Sequence, residues 1–177
     1  MSTSTAGGFV PPPYPYDRLA DIVAVATAHD GGAVDLSIGT PGDPPAPAVL
    51  DALASSGTER GYPPSIGTEA LRAAVAEWFD RRFGVGVDPS DVGAAIGTKE
   101  LVAGLPHWLR LRDPSRDTVL YPEVSYPSYA MGATLAGCRA VPVPMDDRWR
   151  LDLSHIDPAD AARALCLWAN TPGNPAG

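Results

Sequence analysis

Helical spacing dominates the apolar residues in the first half of the chain. One helix is predicted from Asp17 to the glycine pair at 31–32, and Pro47 suits the first turn of a second helix that ends near Ser55. Thr68 can cap a third helix that ends at Gly84 and turns one apolar stripe toward the core. That stripe consists of Leu71, Val75, Trp78, Phe79 and Phe83.

Short apolar runs bounded by turn residues predict strands, most of them in the second half of the chain. The predicted strands are Val34 to Ile38, Val92 to Ile96, Thr118 to Tyr121, Ala140 to Val143 and Ala164 to Ala169. Two further helices are predicted, one from Thr98 and one around Tyr129 to Ala136, and Pro106 is expected to end or kink the first of them. Helices that interleave with strands in this way indicate an α/β sheet.

The charge of the chain argues against nucleic acid as a partner. Its 177 residues include 13 Lys+Arg and 21 Asp+Glu, a formal net charge of -8, and phosphate backbones repel such a chain. Every apolar stretch is broken well short of the roughly 20 residues that a bilayer needs, so no membrane span is predicted. The first eight residues lack the pattern of a secretory signal, and a cytoplasmic location is expected. Cys138 and Cys166 are expected to pack as reduced, small apolar residues.

Gly97, Thr98 and Lys99 stand where a predicted strand turns into a helix. The first N–H groups of a helix have no partner within it and the helix dipole is positive there, so such a turn can bind a phosphate group. Gly97 lets the backbone approach closely, Thr98 adds a hydroxyl, and Lys99 adds a full positive charge. Lys99 is also the one lysine of the chain, since its other basic residues are all arginine. An ordinary capped helix start is the alternative interpretation.

Two other predicted strands also end near residues that can contact a ligand. In open α/β sheets ligands bind beyond the carboxyl ends of the strands, and Tyr126 or Tyr129 could stack there on a flat heterocycle. Asn174, which the following proline restrains, could donate its side-chain amide to a ligand oxygen. Each motif alone could be a packed turn, but their order along the chain favours one shared site.

In this order the motifs resemble those of the fold-type I, class I and II, aminotransferases that depend on pyridoxal 5'-phosphate. The resemblance extends from Tyr14 onward through Leu36-Ser-Ile-Gly-Thr-Pro41, Gly61-Tyr-Pro-Pro-Ser-Ile-Gly67, Gly97-Thr-Lys-Glu100, Ser125-Tyr-Pro-Ser-Tyr129 and Asn174-Pro-Ala-Gly177. It implies that residues 46–177 form part of a three-layer α/β/α PLP-transferase large domain that binds the cofactor. Residues 1–45 would be an N-terminal arm and a helix of the small domain.

The resemblance implies a role for each residue that matches the family's cofactor site. Gly97, Thr98 and Lys99 would hold the cofactor phosphate. Tyr126 would stack on the pyridine ring, and Asn174 would bond the hydroxyl oxygen of that ring.

The family pattern extends to a second subunit and to the substrate. Because the spacing around Glu123 departs from the pattern, Tyr129 is an alternative to Tyr126 as the stacking residue. Gly39 matches a glycine whose backbone meets the substrate carboxylate. Tyr62 matches a tyrosine that reaches the phosphate of the neighbouring subunit, which implies a homodimer with shared active sites. Amino acids and 2-oxo acids are the implied substrates.

The family's Schiff-base lysine follows the Asn-Pro-x-Gly motif, as do the aspartate of the pyridine nitrogen and the arginine of the substrate carboxylate. The resemblance therefore implies that residues 1–177 are the N-terminal portion of the enzyme, inactive alone and without a catalytic residue of their own. Lys99 would not substitute, because a residue at the phosphate end lies a ring's width from the reactive aldehyde.

A finer resemblance concerns the substrate. Pro15-Tyr16-Asp17 and the run from Val34 to Pro44 resemble bacterial N-succinyldiaminopimelate aminotransferases of lysine biosynthesis, with glutamate as the amino donor. Another substrate within the family, or a non-catalytic fragment that binds phosphate or the cofactor, is the alternative. A nicotinamide dehydrogenase is disfavoured because GxGxxG is absent, and three scattered histidines do not suggest a metal site.

Overall fold

The computed structural model describes residues 15–36, 38–57 and 60–177, which divide into two compact units. One unit combines residues 15–22 with Ile96–Gly177, and the other comprises the described part of Val23–Ala95. The proline-rich arm up to residue 14, and Ser37 within a predicted strand, lie outside the described residues. The domain boundary at residue 45 stays a prediction. Within the described ranges, no helix combines the length and the hydropathy needed to cross a bilayer.

A three-stranded parallel sheet forms the centre of the first unit. Its strands are β1 (Thr118–Pro122), β2 (Arg139–Val143) and β3 (Ala164–Leu167), in the order β2-β1-β3. The central strand β1 lies between β2 and β3 and is mostly buried, with Val119 fully buried. A strand in such a position is typically an almost continuous apolar run. Parallel strands place all three carboxyl ends at one edge, and the chain leaves β1 and β3 there toward Tyr126 and Asn174.

Two helices pack together in the first unit. They are α4 (Thr98–Arg112) and α5 (Ser128–Leu135), and Gly132 of α5 lies against the backbone of Ala103 in α4. Of the two outcomes expected at Pro106, an end of the helix is wrong, because α4 continues through Pro106 to Arg112, and the helical continuation expected over His107 to Leu111 is confirmed. The Pro106 ring is fully buried, and burial of this ring against neighbouring groups offsets the lost backbone bond.

The opposite, amino edge of the sheet is held by ion pairs. Arg163 Nε donates to Asp117 Oδ1 at 2.8 Å, and Arg139 Nη1 lies 2.5 Å from Asp160 Oδ1. Arg116 Nη1 donates to the Ala164 carbonyl at 2.8 Å. These contacts join the starts of all three strands and the short helix α6 (Pro158–Ala162), which the sequence did not predict.

The second unit contains the helices that the sequence signals place best. They are α2 (Pro47–Ala54) and α3 (Glu69–Phe83). Helix α1 (Ala20–Thr27) follows a 3-10 turn, and the division of the chain into two units falls within it, after Ile22. Thr68 Oγ1 accepts from the Leu71 N–H at 3.2 Å, which confirms the predicted cap, and Gly84 ends α3 with φ of 66°.

The aromatic stripe of α3 does not face a core. Trp78, Phe79 and Phe83 contact one another edge-on or tilted, with ring centroids 5.2–5.9 Å apart, and each remains partly exposed. The expectation of a core-facing stripe is therefore wrong for the described residues. Periodicity identified the helix but not what its apolar side contacts.

Two predicted strands do not form. Neither the described residues of Val34 to Ile38 nor those of Val92 to Ile96 adopt strand structure. A strand requires a partner ladder. In the second segment the Val92 N–H donates to the Pro89 carbonyl at 3.3 Å, within a turn, and the Ala94 N–H donates to the Ile66 carbonyl at 3.0 Å, and these two bonds do not form a ladder. Ile96 is almost fully exposed, so neither burial nor pairing stabilises an extended ladder there.

Candidate functional site

The amino end of α4 carries three of the predicted phosphate-binding residues. Gly97 is the N-cap, in an extended conformation, and no side chain of the described residues caps this end of the helix. A Cβ added to Gly97 would meet no described atom within 4 Å, so these residues leave the space beside the Gly97 backbone open. Thr98 and Lys99 occupy the first two helical positions. An open helix start with a hydroxyl and an ammonium group has the chemistry of an anion site.

Lys99 and Tyr126 come together although 27 positions separate them in the chain. The Nζ atom of Lys99 lies 5.7 Å from the centroid of the Tyr126 ring, over its face. This distance is within the range of an attractive contact between a cation and an aromatic ring. The Tyr126 side chain is partly exposed, with a relative accessibility of 38%. The start of α4 therefore faces the aromatic residue that follows β1.

Tyr129 has a different environment from Tyr126. Its ring stacks on Trp168, with centroids 5.3 Å apart and an interplanar angle of 26°, and its hydroxyl donates to Asn170 Oδ1 at 3.2 Å. One face of the ring is thus covered by protein and the polar tip is bonded. Of the two tyrosines, Tyr126 is the one that lies beside Lys99.

Asn174 lines a cavity of about 390 Å³ at the carboxyl edge of the sheet. The wall combines the segment after β1, the segment after β3 and a turn that follows β2. Its polar and aromatic lining residues include Ser125, Trp149, Arg150, Asn170, Thr171 and Asn174. Among the described residues that line it, Asn174 is the one predicted to bind the cofactor. Gly97, Thr98, Lys99 and Tyr126 lie outside this lining.

The turn after β2 is organised by Asp146. This carboxylate accepts from the backbone N–H groups of Arg148 and Arg150 at 2.8 and 2.9 Å, and from the Arg150 guanidinium at 2.9 and 2.7 Å. The bonds from Arg150 hold the pKa of the Asp146 carboxyl below its usual value. Trp149, within the turn, has a φ of 60°. The carboxylate thus fixes a tight turn that brings Trp149 to the cavity wall.

Glu123 joins the ends of two strands. Its backbone N–H donates to the Val143 carbonyl at 2.9 Å, and its Oε1 accepts from the Met145 N–H at 3.0 Å. Ser125 Oγ donates to the Pro122 carbonyl at 2.6 Å, which closes the turn that leads to Tyr126. The segment with unusual spacing in the sequence is therefore a well-bonded turn.

Gly39 and Tyr62 belong to the other compact unit. Tyr62 is fully exposed, and a Cβ added to Gly39 would meet no atom within 4 Å. Their predicted roles, toward the substrate carboxylate and toward a neighbouring subunit, stay predictions. Over residues 15–36, 38–57 and 60–177 no cluster of three or more His, Cys, Asp or Glu side chains could hold a metal ion.

The sequence reasoning did not single out Trp168 or Asn170. Trp168 continues the ladder beyond β3, with its N–H donating to the Leu120 carbonyl at 2.9 Å, and Asn170 follows two residues later. The available signal was the position of both residues at the end of a predicted strand, the same argument that selected Asn174. Their contact with Tyr129 depends on the fold and has no signature in the local sequence.

Comparison with known proteins decides the family. The model of aminotransferase class I and II matches residues 32–177. The chain belongs to the class I and II aminotransferase family. Members of this family use pyridoxal phosphate, and the mixed helices and parallel sheet are part of the PLP-transferase fold.

Individual relatives differ in the substrates that their names give. The chain is 42% identical, over 94% of its length, to the 4-dedimethylamino-4-oxo-anhydrotetracycline transaminase OxyQ of Streptomyces rimosus. It is 38% identical, again over 94%, to an LL-diaminopimelate aminotransferase of Desulforudis audaxviator. A solved structure from Thermus thermophilus, named "probable N-succinyldiaminopimelate aminotransferase", matches 90% of the chain with a TM-score of 0.76 and 34% identity. The chain spans 43%, 43% and 44% of these three proteins.

Proposed function

We propose that the product of the complete reading frame containing this chain, here called the full-length protein, is a transaminase dependent on pyridoxal phosphate. It moves an amino group between an amino acid and a 2-oxo acid. The observation that carries the proposal is the position of the Lys99 ammonium group, at the open start of α4 and 5.7 Å from the Tyr126 ring. A charged ester group and an aromatic ring, joined in one small molecule, match these two adjacent features.

The donor set at the start of α4 fits the phosphate ester of the cofactor. The positive end of a 15-residue helix, the Thr98 hydroxyl and the Lys99 ammonium all favour a doubly charged oxyanion. Gly97 leaves the approach unobstructed, since even an added methyl group would meet nothing there. The residues present therefore fit the group that the family uses.

Each residue then has a role in holding the cofactor. The Lys99 ammonium would neutralise charge on the cofactor phosphate. Tyr126 packs against the pyridine ring, and the Asn174 amide donates to the ring oxygen. When bound, pyridoxal phosphate supplies an electron sink for the bond that is broken at the substrate Cα. Gly39 binds the substrate carboxylate, and Tyr62 reaches the phosphate of a partner subunit in a homodimer.

For the substrate we propose N-succinyl-LL-diaminopimelate and its 2-oxo acid, with glutamate as the amino donor, in lysine biosynthesis. Similarity to the Thermus protein supports this choice, and similarity to the LL-diaminopimelate aminotransferase supports a substrate with the diaminopimelate skeleton. A second candidate is a transaminase for another keto compound, and the 42% identity to the tetracycline transaminase favours it. Incubating the full-length protein with glutamate and each class of keto acceptor distinguishes the two, since 2-oxoglutarate forms with the correct acceptor alone.

The cofactor assignment is tested by direct binding. The full-length protein is expected to take up pyridoxal phosphate with a visible absorption band, and borohydride is expected to fix it on a lysine other than Lys99. Tyr126→Ala is expected to weaken retention by about 0.5–1.5 kcal/mol, roughly two- to twelvefold, through lost stacking. Tyr126→Phe, which keeps the ring, is the matched control and should retain the cofactor.

Three results would contradict the assignment. A covalent adduct on Lys99 would remove that lysine from the phosphate, because the two roles require different ends of the cofactor. Unchanged retention in Tyr126→Ala, with a loss in Tyr129→Ala, would transfer stacking to Tyr129. Absence of any bound cofactor in the wild-type protein would favour the alternative of a non-catalytic protein that binds phosphate.

A further inference from the structure

Tyr129 connects α5 to the segment that follows β3. Its hydroxyl donates to Asn170 Oδ1 at 3.2 Å, across 41 positions of sequence, and its ring stacks on Trp168. The Trp168 Nε1 atom is buried and has no hydrogen-bond partner within the described part of the chain. The backbone bond to Leu120 and the stacked ring of Tyr129 therefore hold Trp168, while the Tyr129 hydroxyl adds a directional bond to Asn170.

Asn170 passes this restraint to the turn that carries Asn174. Its Nδ2 group donates to the Pro172 carbonyl at 3.1 Å, so both ends of the amide are bonded. A Cβ placed on Gly173 would lie 3.4 Å from the Asn170 carbonyl oxygen and 4.0 Å from its Oδ1, which shows how closely the turn folds around Asn170. Gly173 and Gly177 exchange N–H···O bonds of 3.2 and 2.6 Å and enclose Asn174 between them.

The base of this link is a rigid part of the first unit. Tyr129 is the second residue of α5, and α5 packs on α4 through Gly132, where backbone atoms of Val102 and Ala103 lie 3.0 Å from the position of an added Cβ. A side chain fixed on this helix can define the position of a turn that has no regular secondary structure of its own.

We propose that Tyr129 is a positioning residue for the cofactor site. Through Asn170, its hydroxyl fixes the turn from residue 170 to 177, so that the Asn174 amide is held toward the ring oxygen of pyridoxal phosphate. This inference rests on the proposed function, because it gives Tyr129 a purpose that requires the cofactor. Tyr129 itself does not touch the cofactor, and its effect passes entirely through Asn174.

A role of this kind differs measurably from simple stabilisation of the fold. If Tyr129 acts through Asn174, removing its hydroxyl matters while the Asn174 amide is present and has no effect once that amide is removed. A stabilising residue would instead add its effect to any other change. Coupling between the two positions is therefore the decisive quantity.

The experiment uses four full-length proteins loaded with pyridoxal phosphate: wild type, Tyr129→Phe, Asn174→Ala and the double variant. The readouts are the rate of cofactor release and the pH midpoint at which the visible absorption of the bound cofactor changes. Tyr129→Phe keeps the stack on Trp168 and removes the hydroxyl alone. The control is Thr134→Val, which removes a hydroxyl from the same helix that bonds the Ala130 carbonyl within it.

We expect Tyr129→Phe to release the cofactor roughly fivefold faster, the size of one lost hydrogen bond. Its pH midpoint should move in the same direction as that of Asn174→Ala, and by less. In the Asn174→Ala background, Tyr129→Phe should change neither quantity, and Thr134→Val should match the wild type throughout. Asn170→Ser removes the acceptor of the same hydrogen bond and should reproduce the effects of Tyr129→Phe. It keeps the inference testable if Tyr129→Phe does not fold.

Three outcomes would overturn the inference. The first is a change of less than twofold in both Tyr129→Phe and Asn170→Ser, and the second is full additivity of Tyr129→Phe with Asn174→Ala. In both cases the wild type still binds the cofactor, so the proposed function survives. The third is a wild-type protein without cofactor absorption, which refutes the proposed function together with this inference.

Discussion

Gly132, where α5 packs on the backbone of α4, offers a test of how the site is built. Gly132 faces α4, and a Cβ added there would lie 3.0 Å from the Cα and carbonyl oxygen of Ala103 and from the carbonyl oxygen of Val102. All three atoms belong to the backbone of a helix, so none can rotate away. Gly132→Ala therefore requires the two helices to separate locally.

The magnitude follows from two opposing effects. Replacing a helical glycine by alanine contributes about 1 kcal/mol through helix propensity. Overpacking against an unyielding surface costs about 1–3 kcal/mol. The free energy of unfolding of Gly132→Ala is therefore expected to lie between the wild-type value and about 2 kcal/mol below it. Helix propensity alone would instead raise it by about 1 kcal/mol. Because the proposed phosphate site lies at the start of α4, a shifted α4 should also weaken cofactor binding.

Gly104 of α4 provides the matched control. A Cβ there would meet Trp108 ring atoms at 3.2–3.6 Å, but this ring ends a half-exposed side chain that can rotate outward. We expect Gly104→Ala to raise the urea midpoint of the full-length protein or leave it unchanged, and Gly132→Ala to lower it, with circular dichroism as the measurement. A Gly132→Ala midpoint equal to or above that of Gly104→Ala would refute the argument from backbone contact.

Two further predictions concern titratable groups of the sheet. Hydrogen bonds from Arg163 hold the pKa of the Asp117 carboxyl below its usual value, so this ion pair stabilises the fold above about pH 4 and is lost as the pH falls through the lowered pKa. Asp117→Asn should therefore lower the melting temperature at pH 7, and its difference from wild type should shrink as the pH falls below about 4. Asp51→Asn, at an exposed position of α2, is the control and should leave the melting temperature at pH 7 little changed. Burial raises the pKa of the Cys166 thiol to about 11, so at pH 8 iodoacetamide should leave Cys166 unmodified in the native protein and alkylate it in urea, as mass spectrometry would show. Rapid alkylation of native Cys166 would contradict the partial burial of this thiol in β3.

Local signals in the sequence were sufficient wherever the structure depends on local contacts. Thr68 and Gly84 fixed the ends of α3 because a side-chain cap and a left-handed residue act within one helical turn. The starts of β1 and β3 were also placed correctly, at Thr118 and Ala164, since apolar runs bounded by turn residues mark buried strands. Of these elements, β1 and β3 form part of the sheet of the first unit and of its carboxyl edge.

Features that depend on distant partners were not predictable in this way. Val34 to Ile38 and Val92 to Ile96 have the composition of strands, yet pairing requires a neighbouring ladder that no property of the segment supplies. Pro106 carries a strong signal for a helix end, and burial of its ring overrides that signal. In each case a tertiary contact, or the lack of one among the described residues, decided the outcome.

The choice between the two tyrosines shows the same limit within the candidate site. Tyr126 and Tyr129 differ little as sequence, because both are aromatic residues that follow β1 within a few positions. The structure separates them through residues far along the chain: Lys99 lies over Tyr126, and Asn170 bonds Tyr129. The role of each tyrosine thus depends on contacts that the fold makes between segments far apart in the chain. For that reason a motif such as Ser125-Tyr-Pro-Ser-Tyr129 can indicate the family correctly and still leave the stacking residue open.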